Sequence, residues 1–151
     1  MSFLGDLFAG KAAQAASNYN AKILEENAKA KDAEAKQTMS VHNDYNLPQF
    51  DKTVDEIQGG TRVAFASSGV AFEGTPMEVL YEQALNLERD RDNMTYNAEN
   101  ERDKDINEGI MLRAEADLSR WQGKVAKKTS YYAAGKSLLG DASQAQTAGM
   151  V

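Results

Sequence analysis

The chain contains no cysteine, one histidine, two prolines and no run of about eighteen apolar residues, and each shortage removes a class of answers. Without cysteine there is no disulfide framework and no thiolate metal site. Without a long apolar run no ordinary transmembrane helix is encoded. The opening MSFLGDLFAG carries Asp6 among its apolar residues and no basic cluster before them, so it does not read as a secretory signal. The only histidine, His42, stands on a predicted helix and is expected to be a solvated surface residue. With no cysteine and no serine at a strand-to-helix elbow, the inventory for nucleophilic or acid–base catalysis is missing. GTP at residues 74–76 lacks the spacing of a phosphate-binding loop. Carboxylates three or four apart on a helix can ligate a metal, but no histidine lies near them, and alternating charge more often marks a solvated helix face. We therefore expect no enzyme, no cofactor and no metal.

Positive charge is also short. Seventeen basic residues against 23 acidic leave a net charge of −6, which will not hold duplex DNA by neutralising its phosphates. Sequence-specific nucleic-acid binding is not expected.

What is present is helix-forming sequence in one domain of 151 residues. Much of the 42% hydrophobic content is alanine, so a thick core is excluded. Residues 1–10 form a short apolar segment with Phe3, Leu4, Leu7 and Phe8 at helical spacing, loosened by Gly5 and Gly10. Residues 11–66 read as a first helical arm, free of proline and glycine as far as residue 47. Its thin stripe runs through Ala12, Ala16, Tyr19, Ile23, Ala30 and Ala33 to Gln37, Val41 and Tyr45. Pro48 lacks an amide donor and should kink or break this arm, and Gly59 and Gly60 weaken it further on.

Residues 67–75 read as a sharp corner. Gly69 is suited to the left-handed conformation that ends a helix, with Val70 and Phe72 folding back over the last turn. After Gly74, the TPME tetrapeptide marks a helix start: Thr75 as N-cap, Pro76 at the first helical position and Glu78 closing a capping box. A second helix is then expected over 76–133, about 85 Å at 1.5 Å per residue. Met77, Leu80, Ala84, Leu87, Arg91, Met94 and Ala98 alternate spacings of three and four, the seam of a left-handed coiled coil. Past Ala98 we expect the seam to slip to steps of four through Arg102, Ile106, Ile110, Ala114 and Leu118, before mixed spacing returns at Trp121 and Val125. Around the slip, Glu99 with Arg102 and Glu101 with Lys104 stand at pairing distance along a solvated face.

Residues 134–151 read as a small-residue tail, preceded by lysines and by Tyr131 and Tyr132. With Leu138 and Leu139 it either docks on a neighbouring chain or, with the apolar amino-terminal segment, enters a lipid interface. The fold expected is all-α: two long helical arms joined by a Gly/Pro corner, a helical hairpin with coiled-coil-like contacts in an oligomer.

The stretch TRVAFASSGVAFEGTPMEVLYEQALNLERDRDNMTYNAENERDKDINEGIMLRAEADLSRW resembles the internal virion proteins of short-tailed bacteriophages, the small core or ejection member stored beneath the portal. Arg62, Ala66, Ser68, Gly69, Val70, Gly74, Thr75, Pro76, Val79 and Leu80 match the corner, and Tyr96, Asn97, Arg113 and Ala114 match the long helix. QGG before Thr61 departs from the longer polar helix typical there.

The resemblance implies a virion protein present in many copies beside portal or tail proteins and larger internal proteins. It also implies release at infection, into the host outer membrane, to help form a conduit for genome delivery. Two other readings stay open: a structural tail or connector subunit that remains with the particle, and a coiled-coil adaptor with no virion role.

Overall fold

The computed structural model of the chain describes residues 3–69 and 74–148, with side chains over 4–69 and 74–139. The described residues are helical except Ser68, Gly69 and Gly74, and no strand occurs among them. The elements are α1 (Phe3–Val41), a five-residue π-helical turn (His42–Asn46), α2 (Leu47–Ser67) and α3 (Thr75–Ala148). The all-α class read from the sequence is the class observed. Contacts divide the chain into two compact units, one made of Met1–Lys31 with Asn107–Val151, the other of Asp32–Ile106.

Helices extend further than composition suggested. The first begins at Phe3 and runs through Gly5 and Gly10, and α3 passes Gly135 and Gly140 to reach Ala148 rather than stopping near residue 133. Gly10 and Ala134 are both buried. Tertiary contact at these points outweighs the roughly 1 kcal/mol that a glycine costs a helix interior.

Where Pro48 led us to expect a kink or a break, the chain stays helical and changes its hydrogen-bond register. The amide of Leu47 donates to the His42 carbonyl, five residues back, and Val41 and Leu47 both keep helical angles. Pro48 has no proton for the carbonyl four residues earlier, and the wider π turn just before it takes up the ring. Beyond it α2 continues without interruption through Gly59 and Gly60 to Ser67.

In the Asp32–Ile106 unit, α2 and the π turn lie against the first part of α3. The Arg91 guanidinium makes a two-pronged pair with Asp51, 3.2 Å from Nε to Oδ1 and 3.2 Å from Nη2 to Oδ2. His42 Nε2 lies 3.2 Å from Thr95 Oγ1. Since 42 meets 95 while 51 meets 91, the segments run antiparallel in this unit.

His42 is only 2% exposed, which overturns its expected place on the surface. It falls seven residues after Ala35 and fourteen after Ala28, both buried, so it occupies the inward position of that repeat. Leu80, Ala84, Leu87 and Met94 are half-buried, whereas Met77 and Arg91 are exposed. Arg102 pairs with Asp103 at 2.8 Å rather than with Glu99.

The residues on either side of the corner show how each helix ends. The Ala64 carbonyl accepts from the Ser68 amide at 3.1 Å and from Ser67 Oγ at 3.0 Å, and Ser68 Oγ donates to the Phe65 carbonyl at 2.8 Å. Gly69 and Gly74 take φ of +70° and +71°, a region that only glycine enters freely. The carbonyl of Gly74 accepts from the amides of Met77 at 3.1 Å and Glu78 at 3.2 Å. Gly74 is therefore the capping residue, one position before the expected Thr75. Pro76 then sits second in the helix, where its missing donor is still unneeded. The expected folding back of Val70 and Phe72 lies outside the described residues.

Candidate interaction surface

The unit formed by Met1–Lys31 and Asn107–Val151 has a core of small side chains. Its buried positions are Gly10, Ala21 and Ala28 on α1, and Gly109, Ala116, Gly123 and Ala134 on α3. A Cβ added at Gly123 would stand 2.7 Å from Ser17 Cβ and 3.3 Å from Gln14 Cα. One added at Gly10 would stand 2.5 Å from Ser130 Cβ and 3.4 Å from Lys127 Cα. The two backbones thus approach too closely for any larger residue. Ser119 Oγ donates to the Ser17 carbonyl across the contact at 2.9 Å.

Each buried methyl contributes only about 0.8 kcal/mol. Cohesion in this unit therefore comes from close contact and dispersion more than from area. Ion pairs flank the seam: Arg120 with Glu25 at 2.5 Å and Lys31 with Glu108 at 3.1 Å. The hydrogen bond to Glu25, with a further one to Asp117, raises the Arg120 guanidinium above its ordinary pKa. Glu26 does the same to Lys29, but that pair is exposed and adds little to stability.

The apolar stripes read from the sequence are not the contact between α1 and α3 within this unit. On α1, Ala12, Ala16, Tyr19 and Ile23 are exposed, as are Ala30, Ala33, Gln37, Val41 and Tyr45 further along. On α3, Ile106, Ile110, Leu118, Trp121 and Val125 are exposed, with Trp121 at 61%. The physical reason is size. At the closest points only glycine, alanine and serine fit between the helices, with Leu24 and Leu112 half-buried beside them, so most of the large side chains are turned outward. The signal was present as sevenfold spacing of small residues, Ala21–Ala28–Ala35 on α1 and Gly109–Ala116–Gly123 on α3. No slip is needed there, because the inward positions of α3 keep alternating steps of three and four through Asp105, Gly109, Leu112, Ala116 and Ser119.

Two exposed features result. One is a tip: Gly10 lies against Ser130, so the residues before Gly10 and those after Ser130 share an end of this unit. Leu4, Phe8, Tyr132, Leu138 and Leu139 are exposed there, Leu139 at 74%, with Leu7 half-buried and Tyr131 exposed. Phe3 begins α1, and its side chain lies outside those described. The other is the outer face of α3, with Trp121 and Val125, whose edge toward α1 forms an open groove that Gln14, Lys127 and Tyr131 also line. Among the described residues no cluster of three or more potential ligands could hold a metal ion, and no helix is long and apolar enough to cross a membrane.

The chain matches no protein-family model, no curated protein and no solved structure.

Proposed function

We propose that this protein is an internal virion protein of a short-tailed bacteriophage, stored in the particle and released at infection to help build a conduit across the host envelope. In this reading it is a helical hairpin, two arms joined at the Gly69–Gly74 corner, that assembles with copies of itself and with portal or tail proteins and larger internal proteins.

The observation that carries the reading is the inversion of side-chain size in the Met1–Lys31 and Asn107–Val151 unit. The fully buried positions are small residues, with Leu24 and Leu112 half-buried among them, while most large apolar side chains face outward and several gather at the tip. A fold that buries so little internally loses little when it opens to pass a narrow channel. Its exposed apolar residues, flanked by Lys124, Lys127, Lys128 and Lys136, are the kind that seat at a lipid interface. The corner residues that carry the resemblance support the same reading.

The test is a vesicle assay with phosphatidylethanolamine–phosphatidylglycerol membranes, following dye release and co-sedimentation. The full chain should bind and release dye. A variant with Leu4, Phe8, Leu138 and Leu139 replaced by glutamine should do neither while keeping its helicity. A folded wild-type chain that ignores vesicles would overturn the ejected role and favour a subunit that stays with the tail.

A further inference from the structure

The outer face of α3 carries a second heptad seam. Met111, Ala114, Leu118, Trp121, Val125 and, after Lys128, Tyr132 alternate steps of three and four over more than two heptads. The inward positions of the same helix, Gly109, Ala116 and Gly123, repeat every seven residues as well. A lipid-facing stripe on a straight helix follows a period of 3.6, whereas a stripe held at 3.5 keeps step with a supercoil. The outer stripe therefore keeps a constant face opposite the inner seam, the arrangement that a second helix can follow. Met111, Leu118, Trp121 and Tyr132 are all more than half exposed in the single chain.

Charge identifies the occupant. The positions directly beside the first half of the stripe carry Glu108, Glu115 and Asp117, with Arg113 and Arg120 further round the helix, and those flanking or interrupting the second half are basic, Lys124, Lys128 and Lys136. A parallel copy would set acid beside acid and base beside base. An antiparallel copy sets each half against its opposite.

We propose that a second copy of this chain packs antiparallel on this face, α3 against α3. The register that best satisfies both size and charge puts Trp121 opposite Leu118, the small Ala114 opposite Val125, and Asp117 beside Lys124 of the other copy. The contact is isologous, so each pair occurs twice. This inference specifies the self-assembly proposed above and rests on that reading. It makes no use of Leu4, Phe8, Leu138 or Leu139, the residues that the vesicle variant replaces, so its failure would leave the vesicle result standing.

The absence of cysteine allows a direct test. Ala114→Cys and Val125→Cys are made singly, both at exposed positions, then mixed under mild oxidation and separated by mass. Cross-links joining 114 to 125 should dominate those joining like positions, and wild-type sedimentation should show concentration-dependent pairing. Asp117→Lys should weaken that pairing at least about tenfold, and adding Lys124→Asp to the same chain should restore it. Dominant 114–114 cross-links, or a chain that stays monomeric while folded, would overturn the proposal. Binding of this face to vesicles without pairing in solution would overturn it in favour of a lipid contact.

Discussion

Glycine takes three different roles in this chain, and substitution separates them. Gly10 and Gly123 are places where another backbone passes: an added methyl group at Gly123 meets Ser17 Cβ at 2.7 Å, an atom that cannot swing aside. Gly60 faces open space within α2. Gly69 and Gly74 hold positive φ at the corner. In a helix, glycine to alanine by itself gains about 0.5–1 kcal/mol. We expect that gain in full for Gly60→Ala, read as a raised midpoint in urea unfolding. Gly123→Ala should instead lose about 1–2 kcal/mol, because overpacking typically costs about 1–3 kcal/mol and more than cancels the helical gain. Equal and positive effects at the two sites would mean that the helices do not approach as closely as described.

At the level of elements, the π turn and the buried histidine form one device. The turn at His42–Asn46 shifts the register just ahead of Pro48, and His42 at its start points inward to Thr95 Oγ1. His42→Ala removes a buried ring and leaves the Thr95 hydroxyl without that partner, so a loss of about 1–3 kcal/mol is expected. Thermal unfolding followed by circular dichroism would show it, and an unchanged midpoint would place the ring in solvent.

These elements also show what could be read in the sequence. The proline-free runs on either side of the corner announced long helices, and SSG and GTP announced their ends, with the cap one residue out because the Gly74 carbonyl reached the first amides before Thr75 could. The inward face was not read, because hydrophobic periodicity weights large residues. Tyr19, Ile23, Leu118 and Trp121 drew attention to the outer stripes, while the seam was written in alanine and glycine. His42 was missed for a related reason. A polar residue at the seventh position of an alanine repeat looks like surface until the repeat itself is recognised as the core.

Across the molecule, the two kinds of seam divide the work. The inner one, narrow and weak in area, joins α1 to α3, and in the proposed assembly the outer one meets a second copy. Cohesion within a chain and contact between chains then draw on different faces of the same helix. A net charge of −6 disfavours random association of copies, so the proposed pairing depends on the acidic and basic halves being brought into register.

Trp121 is the only tryptophan, and it lies on the outer face of α3 beside the inner seam rather than in it. Its fluorescence therefore reports directly on the inversion of size that underlies the proposed function. The measurement is emission wavelength and acrylamide quenching of Trp121 as a function of protein concentration, with mass followed in parallel by light scattering. In the monomer the indole should be water-like and readily quenched, becoming shielded only as the chain pairs. A tryptophan that is shielded in the folded monomer, with no change on dilution, would contradict the inversion and return Trp121 to the core.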